Sequence, residues 1–141
     1  MSGEMEPASV VIASERLVAE ISRHGAELIR LQDRDGKDLL WNGCPKRWSG
    51  RAPLLFPLVG RLPNDTALID GEPFPMRQHG FARNRHFSIV GANVSKGIFA
   101  LASDDDTRRQ FLFDFILEVA FAVEDTALRI GATVFNNHHA R

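Results

Sequence analysis

Residues 111–124, FLFDFILEVAFAVE, and residues 127–136, ALRIGATVFN, decide the fold class. In the first stretch Phe111, Phe113, Phe115, Leu117, Val119 and Phe121 share one parity, while Asp114 and Glu118 fall on the other beside Leu112 and Ile116. In the second, Leu128, Ile130, Ala132 and Val134 alternate with Arg129, Gly131 and Thr133. Successive side chains of a strand point to opposite faces, so a period of two sets one apolar row against a core. The pair reads as two long, half-buried antiparallel strands.

Upstream, HFSIVGA (86–92) and KGIFALAS (96–103) read as two further strands. The polar SDDDTRRQ (103–110) reads as a break holding one helical turn, with Ser103 or Asp104 as its cap. Near the start, ASVVIAS (8–14), LVAEIS (17–22) and GAELIRLQD (25–33) have the look of a β-meander, followed by a turn at Asp35-Gly36. Six of the seven prolines fall between Pro45 and Pro75, which predicts mostly loop and edge there, because proline lacks the donor a central strand needs. Within that region ALIDGEPFP (67–75) reads as one short strand entering a turn at Asp70-Gly71. A long irregular segment inside a compact domain is often functional. The expected architecture is all-β, an antiparallel β-sandwich formed by residues 1–141 as a single unit. Its last two strands need cover, which the sandwich, a partner chain or the rest of a larger domain must supply.

The 141 residues suffice for one core but not two. Cys44 is the sole cysteine, so no internal disulfide forms, in keeping with a reducing compartment. MSGEMEPAS, residues 1–9, does not read as a signal peptide, and no apolar run is long enough for a membrane helix. These features predict a soluble cytoplasmic protein without a membrane partner. A net charge of −1 argues against nucleic acid as a partner. Between Trp41 and His86, however, seven basic residues stand against three acidic ones, a bias that favours a small anionic ligand.

Few side chains are placed to do chemistry. His79, in the turn-like HGF, could give or take a proton, with Gly80 allowing close approach to the backbone; a loop histidine bonded to a carbonyl is the other reading. Arg51 and Arg61 bracket RAPLLFPLVGR, and a guanidinium matches carboxylate and phosphate oxygens; surface ion pairs are the alternative. His138 and His139 are adjacent and would point to opposite faces of a strand, so no metal is expected. No phosphate-cradling glycine loop or dinucleotide fingerprint is present, so no cofactor is expected either. Trp41 and Trp48 could stack on a sugar ring or plug the end of the sandwich.

Three blocks in this order, WNGCPKRWSGRAPLLFPLVGRL (41–62), IDGEPFPMRQHGFAR (69–83) and SDDDTRRQFLFDFILEV (103–119), resemble the aldose 1-epimerase family. The similarity runs from about Val11 to Asn137 and is strongest toward the branch containing glucose-6-phosphate 1-epimerases. It implies a sandwich of the galactose-mutarotase type, of which this chain is about half. It also implies interconversion of the α and β anomers of a hexose or hexose 6-phosphate, with no metal or organic cofactor. His79 then matches a sugar-contacting histidine that assists catalysis, and Arg61 an arginine lining the sugar pocket. Arg51 and Arg83 match positions that hold the anion in the sugar-phosphate branch. The family's main general acid, in a His-Pro-aromatic motif, and its glutamate base have no counterpart in the 141 residues; His138 and His139 lack the proline and aromatic. Tyrosine is absent, and Leu112 stands where the family often has proline. Two expectations follow: the N-terminal portion of an epimerase, inactive or nearly so in this form, or a non-catalytic sugar or sugar-phosphate binding module. In either case the uncovered strands offer a route to self-association.

Overall fold

The computed structural model describes residues 5–139. Strands β1 (Ser9–Ala13), β2 (Leu17–Ser22) and β3 (Glu27–Asp33) form one antiparallel sheet in that order. Strands β6 (Ser88–Ala92), β7 (Lys96–Ala102), β8 (Phe115–Glu124) and β9 (Ala127–Asn136) form a second, and β4 (Thr66–Ile69) with β5 (Glu72–Pro75) a separate hairpin. A short α-helix, α1 (Asp105–Gln110), links β7 to β8. The first sheet packs on β7 and β8 through β1 and β2. Ile12, Ala19 and Ile21 meet Phe99, Leu117 and Val119 in a core where each is essentially inaccessible to water. The all-β sandwich expected from the alternation is the fold observed.

Three details differ from the periodicity. The parity row starts at Phe111, but the strand starts at Phe115, where pairing with Asn136 at the end of β9 begins. Before it the Asp114 carboxylate accepts from Arg108 Nε at 2.7 Å, and its carbonyl accepts from Asn137 N at 3.0 Å. Phe111 and Phe113 instead join an aromatic cluster with Phe56 and Phe115, at centroid separations of 5.0–6.2 Å.

The second difference concerns β9. Register sets Leu128, Ile130, Ala132 and Val134 opposite Val123, Phe121, Val119 and Leu117, hence on the core side of the sheet. The β8 residues are buried, but Ile130 and Val134 are 54% and 52% exposed. The first sheet lies over β7 and β8, so β9 is an edge strand whose core-facing row is largely uncovered, not half-buried.

Third, the stretch read as one strand and a turn is a complete hairpin. Asp70 (φ 51°) and Gly71 (φ 82°) make a two-residue turn with both residues left-handed, which matches strand twist. Ile69 and Glu72 close it, which leaves Leu68–Pro73 and Thr66–Pro75 as the non-hydrogen-bonded pairs. Proline's missing donor is harmless at those positions.

Between Ser103 and Asp104, the cap is Asp104. Its Oδ1 accepts from Thr107 N at 2.8 Å while Thr107 Oγ1 accepts from Asp104 N at 2.9 Å, a reciprocal box. Ser103 Oγ instead accepts from Phe115 N. Partial desolvation pushes the Asp104 carboxyl up, but the Thr107 amide, the Arg85 charge and the Asp106 amide outweigh it and hold it low. Asp114 is held low chiefly by its hydrogen bond from Arg108. Both carboxyls are thus more acidic folded than unfolded, so their stabilisation is complete above the unfolded value of 3.8 and is lost as pH falls through the lower folded values. We expect melting temperature to fall as pH drops below about 4, and Asp104→Asn to flatten that acid limb. An unchanged acid slope in the variant would remove Asp104 from the account.

Candidate functional site

The segment from Arg51 to Arg61 and the segment from Met76 to Arg83 are zipped side by side. Phe56 O accepts from both Phe81 N and Ala82 N, at 3.0 and 3.1 Å. One step along, His79 N donates to Gly60 O at 2.8 Å while Gly60 N donates to His79 Nδ1 at 2.9 Å. His79 and Gly80 are both left-handed, with φ of 65° and 69°, and Gly80 N closes the turn on Arg77 O at 3.0 Å. Only glycine fits the second position: a Cβ there would lie 2.2 Å from Phe56 O.

The clamp dictates the chemistry of the imidazole. Nδ1 accepts a backbone hydrogen, so the neutral ring carries its proton on Nε2. The nearby Gln78 side chain, 3.3 Å from Nε2, must then present its carbonyl oxygen rather than its NH₂ for that contact to be a hydrogen bond. His79 is half-buried, with its Nε2–H next to the exposed Gln78 side chain, so a ligand oxygen reaches that hydrogen by sharing or displacing the Gln78 contact. Its Nδ1 meets a backbone amide rather than the backbone carbonyl of the alternative reading.

The arginines are held differently. Arg61 directly follows the clamp glycine and is exposed; its Nε donates to Asp65 Oδ1 at 3.0 Å. Arg83 Nη2 donates to Gln78 O at 3.1 Å, bracing the turn that carries His79. Arg51 is farther off. Its amide and that of Ala52 both donate to Glu27 Oε1, at 2.7 and 3.0 Å, and its Nη2 donates to Asn42 O at 3.0 Å. The guanidinium lies over Gly43, where a Cβ would come within 2.8 Å of Cζ.

The structure therefore groups His79, Arg61 and Arg83 through Gly60 and Gln78, while Arg51 is anchored to β3. The residues flanking Arg51 approach Arg83 across a cleft of about 290 Å³ lined by Glu27, Trp48, Gly50, Pro53, Arg83 and Asn84. The cationic bias of the segment is smaller than its composition implies, because Asp104 and Asp106, from outside the segment, pair with Arg85; within it, Asp65 pairs with Arg61. Arg51 and Arg83 have carbonyls as partners.

Two contributors escaped the sequence reading. Gly60 lies within the FPLVGR block, but nothing in the block says that its amide faces an imidazole. Glu27 stands 24 residues before Arg51 and carries no local signal at all. Of the other histidines, His138 packs edge-on against Phe113, while His24 packs against His86 and also lines the cleft beside Arg83. Among the described residues no three His, Cys, Asp or Glu side chains converge as a metal site, and no helix is long and apolar enough to cross a membrane.

Residues 8–140 match the family model described as aldose 1-epimerase. The plasmid and chromosomal forms of Protein LacX from Lactococcus lactis subsp. lactis are each 29% identical over 133 residues, covering 91% of this chain and 44% of theirs. A galactose mutarotase related enzyme from Lactobacillus acidophilus superposes with a TM-score of 0.90 at 30% identity, over 92% of this chain and 44% of that one. A galactose mutarotase-like protein from Lactobacillus casei does so with a TM-score of 0.91 at 30% identity, over 94% and 45%. The sandwich is thus of the galactose-mutarotase type, and the chain spans less than half the length of the relatives it matches.

Proposed function

Because the chain belongs to the aldose 1-epimerase family, we propose that it supplies one wall of a site that interconverts the α and β anomers of a hexose or hexose 6-phosphate. The observation that carries the reading is the reciprocal Gly60–His79 clamp, which presents Nε2–H as a fixed donor. In such a reaction a base removes the proton of the anomeric hydroxyl while an acid protonates the ring oxygen, and the C1–O5 bond breaks. Rotation about C1–C2 and the reverse steps close the ring on its other face. His79 suits the donor side of this chemistry: it orients the sugar and polarises a sugar oxygen. Arg61 lines the same wall by exchanging Asp65 for sugar hydroxyls. Arg51 and Arg83 form the cationic rim for a 6-phosphate, since a guanidinium bonded to a carbonyl keeps its full charge.

With no His-Pro-aromatic acid among its 141 residues, the chain by itself is assigned binding without sustained turnover. Amide ¹H–¹⁵N spectra of the full chain, with glucose and glucose 6-phosphate added separately, test the wall. Saturable shifts at His79 and Arg83, larger with the phosphate, are expected. His79→Ala should weaken them about fivefold, the worth of a neutral hydrogen bond near 1 kcal/mol. No response to either sugar would overturn the assignment. Anomer exchange above the buffer rate, lost in His79→Ala, would make the chain a complete enzyme instead. The proposal extends to self-association through the uncovered row of β9, for which Ile130→Ala is the probe.

A further inference from the structure

A second polar cleft lies against the His79 turn without including His79. It measures about 510 Å³ and opens between the exit of β5 and α1, with Gly80 and Phe81 among its walls. Its charged lining is Arg77, Arg85, Arg109 and Asp106, and the amides of Asn84 and Gln110 complete the polar surface.

The three arginines are not equivalent. Arg85 is a strut: Nη1 donates to Asp106 Oδ2 at 2.6 Å, Nη2 donates to the Asp104 carboxylate, and its side chain is only 22% exposed. Arg109 is 73% exposed and approaches only Asp106, at 3.8 Å. Arg77 is exposed and has no ion-pair partner among the described residues. Asp106, the one carboxylate in the lining, is already shared by Arg85, Arg109 and the Gln110 amide at 3.5 Å. Two guanidiniums therefore stand over a concave surface with little to neutralise them.

We propose that this cleft binds a phosphomonoester, held by Arg77 and Arg109 and contacted by the amides of Asn84 and Gln110. Two guanidiniums match a dianionic, tetrahedral group, whereas a monocarboxylate would leave one of them uncompensated. The volume falls in the range of small-molecule sites and exceeds what a bare phosphate needs, so the ligand is a phosphorylated small molecule. The site adjoins the sugar wall but uses different arginines: Gly80 and Phe81 of the clamp form part of its lining, and Asn84 lines both this cleft and the one beside Arg83. Arg77 itself is tied to the turn, because its carbonyl accepts from Gly80 N at 3.0 Å.

The test uses probes without a sugar ring, so that its failure and the failure of the sugar reading are separate results. Glycerol 2-phosphate and inorganic phosphate are titrated into the full chain and followed by amide spectra. Saturable shifts at Arg77, Arg109 and Gln110 are expected, stronger with the ester than with inorganic phosphate and weakened by salt. Arg77→Gln and Arg109→Gln should each weaken binding roughly tenfold, the usual loss for one charge-assisted hydrogen bond. Both side chains are exposed, so peak dispersion should survive and confirm that the variants fold. Arg51→Gln, whose side chain is not in this lining, should leave this titration unchanged. Shifts that persist in the Arg77→Gln/Arg109→Gln variant, that appear only around Arg51 and Arg83, or that acetate reproduces equally would each overturn the proposal.

Discussion

Gly80→Ala is expected to cost about 3 kcal/mol or more of folding stability and to abolish the response of His79 to sugar. The added Cβ would sit 2.2 Å from Phe56 O and 2.5 Å from its carbonyl carbon, far inside contact distance, and both are backbone atoms with no rotamer to escape into. The φ of 69° adds the left-handed penalty of about 1–2 kcal/mol for an L-residue. Relief requires the two segments to separate, which breaks the bonds from Phe81 N and Ala82 N to Phe56 O and shifts the adjacent Gly60–His79 clamp. Urea unfolding of the two proteins gives the stability difference, and Gly60→Ala is the control. At Gly60, φ is 100° but no atom lies within 4 Å of the added Cβ, so only backbone strain should register. Equal midpoint losses for the two variants would show that conformation, not the close approach to Phe56, explains the glycine at position 80.

Phe99→Ala is expected to cost about 3–5 kcal/mol, a large part of the roughly 5–15 kcal/mol that holds a domain together. Phe99 is wholly buried on β7, edge-on to Phe121 with centroids 5.8 Å apart, in the core between the two sheets. Removing the ring leaves a cavity walled by both sheets, whose hydrogen-bonded frames limit collapse. The companion variant is Ile130→Ala. Its side chain lies on the core side of β9 but is 54% exposed, so in an isolated chain the loss should be near 1 kcal/mol. Denaturant melts at two protein concentrations distinguish the cases. A loss at Ile130 that matches Phe99 and grows with concentration would mean that a second copy covers β9.

These two positions also mark what a sequence can and cannot say. The alternation through Phe115, Leu117, Val119 and Phe121 correctly announced a strand with one buried face, because the period of a strand is a property of the backbone. The same alternation in β9 announced a buried face that is mostly open, because period says which side chains share a face and not what lies across from it. The proline-rich hairpin was half legible. Asp70-Gly71 was readable as a turn, but the harmlessness of Pro73 and Pro75 depends on which pairs of the ladder exchange hydrogen bonds.

The site divides along the same line. The QHGFAR and FPLVGR blocks could be singled out, and the family's likeness attached roles to His79, Arg51, Arg61 and Arg83. Arg61 and Arg83 have local partners in Asp65 and Gln78. The others depend on partners distant along the chain, Gly60 for His79 and Glu27 for the Arg51 backbone, as the neighbouring Arg85 depends on Asp104 and Asp106. By itself the sequence determined the class of fold, the strands and the residue types at the site, since these follow from local periodicity and side-chain chemistry. Only the tertiary structure decided which nitrogen of His79 bears the proton, which arginines remain unpaired and which apolar row is left bare. Each of those depends on a group brought within a few ångströms by folding, and no local pattern encodes that distance.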